Sequence, residues 1–318
     1  MKTLIQYAYT QASPYKTEKS IYNIIIGKKS HQTFFDAVSL KLFSFYGINK
    51  NLSWNTFKSY IDDTNIKIKT IPTSNEATYE TLTLTFECLQ LLIQTLSNIK
   101  HHHTQFMPTT SHVRIHQHVK NLYFQIKNRQ LEDNVKNEIY DLFDQLKSKH
   151  KHMVIHYFLT GYDESMYTPH QVSLIEGIES DLLKTYIYFD LFYLHALLED
   201  SERFPFLSQC CASLNVSKAV YRTFLDLNEG HSIDKIAKMH RISLNTVYDH
   251  IVDLFINNYL TDITPFISNT KECNDFIQYY QENPKQRLKY YKNAFEMFSY
   301  FELKLMIIYI SKGVHHAN

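Results

Sequence analysis

SIDKIAKMHRISLNTVYDHI, residues Ser232 to Ile251, reads as two short amphipathic helices separated by a tight turn. Ser232 and Ser243 stand where a hydroxyl would cap the first exposed N–H groups of each helix. Ile236 and Ala237 fall where the first helix presses on the second, and only a small side chain at Ala237 allows that approach. Ile242 closes the turn. Val247 and Ile251 lie about one turn apart on the inward face of the second helix, which sends Leu244, Asn245, Tyr248 and Asp249 outward, towards a groove. A third amphipathic segment, Ser217 to Asn228, precedes the pair and completes the outline of a helix-turn-helix with core residues Ile236, Ala237, Ile242, Val247 and Ile251.

Outward from this motif the pattern stays helical. The chain has 318 residues but only 6 Gly and 7 Pro, little material for the tight turns that many short strands need. The fold is predicted to be mostly α: a helical N-terminal domain over 1–205, then a helix-turn-helix domain over 206–318, with a winged variant allowed. The boundary is set at EDSERFP, Glu199 to Pro205, where charge and a proline interrupt the pattern. Within the first domain, two helices flank Gly27, a helix capped by Ser53 or Asn55 leads into a polar extended piece ending at Pro72, and a long helix runs from Glu76 to Lys100. Helical periodicity continues over Val113–Gln130 and Glu132–Tyr157. Thr168-Pro169 opens a further helical region, Gln171 to Asp200, apolar nearly all round.

Several function classes are excluded as expectations. A net charge of +1 is unlike that of a protein coating nucleic acid nonspecifically, so any such contact must be local. Of the four cysteines, two stand alone and Cys210 adjoins Cys211, which is neither a redox CxxC nor a zinc knuckle. No signal peptide or membrane span is read, and a cytoplasmic protein is expected. Gly27-Lys28-Lys29-Ser30 is not a phosphate loop, because Tyr22 occupies the position of the required first glycine. The histidines at 101–103, 112, 116 and 118 lack completing ligands at metal spacing and read as surface polar groups. Asp190 and His195, five apart, face different sides of a helix and suggest a buried polar contact rather than acid/base chemistry. The reading is a non-enzyme without metal or cofactor.

Nucleic-acid candidates remain. Residues 213–263 carry five basic side chains against six acidic ones, too few for strong phosphate-driven affinity. Asn245 could pair two-fold with adenine while Lys238 and Arg241 meet phosphates, with Ser243, Leu244, Tyr248 and Asp249 on the same face. A second candidate is QRLKYYKNAFEMFSY, Gln286 to Tyr300, where Arg287, Lys289, Tyr290 and Lys292 mix charge with rings able to stack single-stranded bases. The same stretch also suits simple helix packing.

Ile236-Ala237, Ile242-Ser243, Thr246-Val247 and His250 resemble the helix-turn-helix of LuxR-type regulators, although His240 stands where an apolar residue is common and Asp249 adds an acid to the reading face. Over Ser217–Ile263, continuing to SYFELKL at Ser299–Leu305, the chain resembles the helix-turn-helix domain at the C-termini of RecQ-type helicases, which also closes the YpbB family. SIYNIIIGKKSHQTFFDA (Ser20–Ala37), NLSWNTFKSYI (Asn51–Ile61) and TGYDESMYTPHQ (Thr160–Gln171) are similar to patterns of that YpbB family. The resemblance implies an accessory protein of a RecQ-family (RecS-like) DNA helicase in unwinding or repair, its N-terminal half a helicase-docking platform, with forked or single-stranded DNA as a further partner. A regulator reading a duplex operator and a protein-binding scaffold without DNA contact are the alternatives.

Overall fold

Serine and threonine hydroxyls set the starts of many of the elements. In the computed structural model, which describes residues 1–63 and 70–313, every regular element among those residues is helical. The α-helices are α1 (Lys2–Ala12), α2 (Glu18–Ile25), α3 (His31–Ser39), α4 (Trp54–Ile61), α5 (Tyr79–Lys100), α6 (Val113–Asn128), α7 (Glu132–Lys149) and α8 (Pro169–Glu176). They continue with α9 (Ser180–Leu198), α10 (Lys218–Asn228), α11 (Ile233–His240), α12 (Leu244–Ile256), α13 (Cys273–Glu282), α14 (Leu288–Ala294) and α15 (Tyr300–Ser311). Thr17, Ser30, Ser53, Thr168, Ser217, Ser232, Ser243 and Ser299 each accept a backbone N–H at a helix start. Such a cap is worth about 1 kcal/mol. No strand, and so no β-wing, follows α12 among the described residues. The extended piece expected before Pro72 falls largely at 64–69, outside the described residues.

The residues group into two compact units, and not into contiguous 1–205 and 206–318 domains as the composition suggested. One unit holds Met1–Leu4 and Glu80–Ser213, and the other holds 5–63, Thr73–Tyr79 and 214–313. The physical reason is that α3, far back in sequence, packs on α12 and α15. EDSERFP, read as the boundary, is fastened to α7. Arg203 grips Asp141 of α7 with two N–H groups at 2.6 and 2.7 Å, and the Glu138 carboxylate accepts the N–H groups of Phe206 and Leu207.

In the first of these units α5 to α9 bury Leu89, Leu92, Leu122, Ile126, Leu142, Leu146 and Leu194. Asp190, wholly buried on α9, accepts His150 Nε2 at 2.7 Å and the N–H groups of Val154 and Ile155 at 2.7 and 2.9 Å. That carboxylate ends α7 at Lys149, well short of the Tyr157 predicted from periodicity, because it offers the following backbone better partners than another helical turn. It also realises the buried polar contact expected of Asp190. Gln171 to Asp200 is not one helix: Gly177, at φ +64°, closes α8 before α9 begins.

In the second unit Gly27, at φ +67°, ends the turn after α2, and a Cβ there would lie 2.8 Å from the Gly47 Cα. Only glycine admits that approach. The Gly47 N–H donates to the Ile24 carbonyl at 2.9 Å and Tyr46 Oη donates to the Gly27 carbonyl at 3.0 Å. This locked turn sets the direction of α3, whose buried Phe35, Ala37 and Val38 form the seat beneath the helix-turn-helix.

Candidate nucleic-acid interface

The motif forms as the residues require. Ile236, Val247 and Ile251 are fully buried and Ala237 is 7% exposed, so each large side chain contributes about 1.5–3 kcal/mol to holding α11 against α12. Ile242 is half-buried in the turn, its N–H donating to the Ala237 carbonyl at 3.0 Å. Arg241 closes α11 in the left-handed region at φ +56°, a conformation that costs a non-glycine residue roughly 1 kcal/mol.

Beneath α12 lies a polar seam. Thr223 Oγ1 meets His250 Nδ1 at 2.8 Å, joining α10 to α12, and His31 Nδ1 meets Asp253 Oδ2 at 2.8 Å, joining α3 to α12. Hydrogen bonding to Asp253 raises the pKa of His31, whereas burial lowers that of His250. No local pattern marks His31, which lies 222 residues from Asp253; the sequence reading missed this brace.

The outward face is divided. Lys238, Arg241, Ser243 and Asn245 are exposed and Leu244 is 40% exposed, so one corner, the end of α11 with the first turn of α12, meets solvent. Ser243 spends its hydroxyl as the cap, accepting the Thr246 N–H. Tyr248 and Asp249, read as groove-facing, are instead turned towards α15. The Tyr248 ring stacks on Phe301 with centroids 4.3 Å apart at 23°, and Asp249 Oδ1 lies 3.6 Å from Lys304 Nζ. Periodicity could assign them a face away from α11 but could not show that another helix covers it.

The aromatic and basic stretch is divided in the same way. Arg287, Lys289 and Tyr290 are exposed, while Lys292 Nζ donates to the Glu296 and Phe298 carbonyls. Its charge therefore ties the turn after α14 and is not held out to phosphate. Tyr291 is buried, its hydroxyl donating to the Asn283 carbonyl at 2.6 Å; burial pushes its pKa above the usual phenol range.

Residues 220–307 match a helix-turn-helix domain family. That span contains α11, the turn and α12, and ends within α15, so the stack of Tyr248 on Phe301 lies inside the matched domain. The chain is also similar to protein YpbB of Bacillus subtilis (strain 168), at 20% identity over 92% of each chain. No solved structure matches it. The protein is thus all-helical in its regular elements among the described residues, with a C-terminal helix-turn-helix domain, a module that suggests DNA binding. No described helix is long and apolar enough to cross a membrane.

Proposed function

We propose that this chain is a non-enzymatic accessory protein that brings DNA and helicase contacts to a RecQ-family (RecS-like) helicase during unwinding or repair. The observation that carries the DNA half of this reading is the exposed corner formed by Lys238, Arg241, Leu244 and Asn245. With Tyr248 and Asp249 engaged by α15, about one turn of α12 is left to enter a groove. A face that short suits phosphate contact and the positive end of a helix dipole better than the reading of several base pairs. The near balance of charge over 213–263 points the same way, towards weak, structure-directed binding in which a partner supplies part of the affinity.

The helicase half rests on the resemblance of both halves of the chain to the YpbB pattern and of the C-terminal domain to RecQ-type C-termini. The carboxylates support a structural role, since the buried Asp190 and the half-buried Glu138 are engaged in hydrogen bonds that end helices and fasten loops. The test is co-purification with the RecQ-family helicase of the same source, then unwinding of a forked substrate with and without this protein. A stable complex that changes the unwinding rate is the expected result. No association, combined with selective binding of one duplex sequence, would replace this reading with an operator-binding regulator, and association without DNA contact would leave a scaffold.

A further inference from the structure

The turn between α10 and α11 carries a group of donors that no spacing rule picked out. A carboxylate oxygen of Asp226, one of Glu229 and an imidazole nitrogen of His231 lie within 4.8 Å of one another. Asp226 and Glu229 are one helical turn apart at the end of α10, and the His231 N–H donates to the Asp226 carbonyl at 3.0 Å, which folds the turn back over that end. His231 Nε2 is 3.5 Å from Glu229 Oε2. On the inner side, His240 Nε2 sits 2.6 Å from Asp226 Oδ2.

That inner pair points to a ligand. The Asp226 and His240 side chains are only 12% and 7% exposed, yet neither Asp226 Oδ2 nor His240 Nε2 has a hydrogen-bond partner. They touch without a ring N–H aimed at the oxygen. Leaving a buried donor or acceptor unsatisfied costs about 1–3 kcal/mol, and more when it is charged. A cation held by Asp226, Glu229 and His231 would satisfy the Asp226 carboxylate. It would also cancel the charge, since two carboxylates and a neutral imidazole balance a divalent ion.

We infer that Asp226, Glu229 and His231 form a site for a divalent transition metal of the zinc class, with His240 beside Asp226 on its inner side. The donor set decides the class: imidazole suits zinc and its neighbours, while calcium and magnesium prefer all-oxygen cages. Around a tetrahedral ion with bonds of about 2.0–2.2 Å, neighbouring donors stand about 3.3 Å apart. The three donors, now within 4.8 Å of one another, would close slightly, and solvent would complete the coordination. The ion would pin the end of α10 to the turn that leads into α11, and so stiffen the mounting of the helix that presents Lys238 and Arg241. The histidines at 101–103, 112, 116 and 118 are not part of this site. Among them, His103, His116 and His118 are bound to Asn98, the Thr110 carbonyl and the Gln209 carbonyl.

The test uses the untagged full chain, stripped with chelator and titrated with Co²⁺ and then Zn²⁺. One equivalent of Co²⁺ giving visible d–d bands, displaced by Zn²⁺, is the expected result. Glu229→Gln and His231→Ala change exposed or half-exposed positions and leave the core intact, and each should weaken the metal at least tenfold. The helix-turn-helix melting transition should rise on metal addition in the parent and not in the His231→Ala variant. Absence of an equivalent of bound metal, or binding with the same affinity in both variants, would overturn the assignment, the second outcome placing the ion on surface histidines elsewhere.

Discussion

Tyr248 and Arg241 lie seven residues apart on successive helices and differ in purpose: the ring serves the fold, the charge serves the surface. Tyr248→Ala removes the stack on Phe301 and should cost about 1–3 kcal/mol in urea unfolding, while Tyr248→Phe should cost almost nothing. DNA affinity of the folded Phe variant should equal that of the parent; a large loss would put the hydroxyl back in a groove. Arg241→Gly separates stability from binding in the opposite sense. Relief of the left-handed backbone at φ +56° should leave the protein as stable or up to about 1 kcal/mol more stable, with DNA binding weakened because a phosphate contact is lost. His31 tests the seam below. Its pKa is raised from 6.5 by Asp253, so the folded state holds the proton more tightly than the unfolded chain. The resulting stabilisation is fully present below pH 6.5 and is lost as the pH climbs through the raised value. NMR titration should find the His31 pKa above the ordinary value in the parent and lower in Asp253→Asn; an equal value in both would remove the brace.

At the scale of elements, glycines with positive φ differ in what surrounds them. An added Cβ at Gly27 would strike the Gly47 backbone at 2.8 Å, whereas at Gly177 nothing lies within 4 Å. Gly177→Ala should therefore cost only the left-handed backbone term, about 1 kcal/mol, and Gly27→Ala clearly more, because two backbone segments must separate. Equal losses by chemical denaturation would contradict the close approach. The same elements mark what sequence can reveal. The caps at Ser232 and Ser243, the Thr168-Pro169 start, Gly27 and the small Ala237 between Ile236 and Val247 were all legible, since each is decided within one or two turns of chain. Where α7 ends was not legible, because Asp190, some forty residues later, takes the backbone that would have continued the helix. The stacking of Tyr248 was hidden for a similar reason: its partner Phe301 lies on α15, and periodicity assigns a face but not its occupant. Lys292 was misread because a lysine that ties two carbonyls in a turn looks, in sequence, like any basic residue among aromatics.

For the whole molecule, the division at EDSERFP followed composition, and the chain is organised by packing instead. Residues 5–63 share a compact unit with the helix-turn-helix, because α3 underlies α12 and α15. The C-terminal domain consequently has as its floor a segment from the other end of the sequence. A fragment beginning at residue 206 would expose the buried faces of α12 and α15, so it should unfold at lower urea than the full chain or aggregate, as checked by circular dichroism and light scattering. Independent folding with the full chain's midpoint would show that the floor is dispensable.

The exposed corner at the end of α11 and start of α12 is the central claim, and salt-dependent fluorescence anisotropy tests it most directly. The parent and a Lys238→Ala/Arg241→Ala variant would be titrated with forked, single-stranded and random duplex DNA at several salt concentrations. The expected result is preference for forked or single-stranded DNA, with a log–log salt slope that shrinks by about 2 in the variant as two phosphate contacts disappear. Binding that is absent, or that keeps the same slope without Lys238 and Arg241, would contradict the assignment of this corner to DNA.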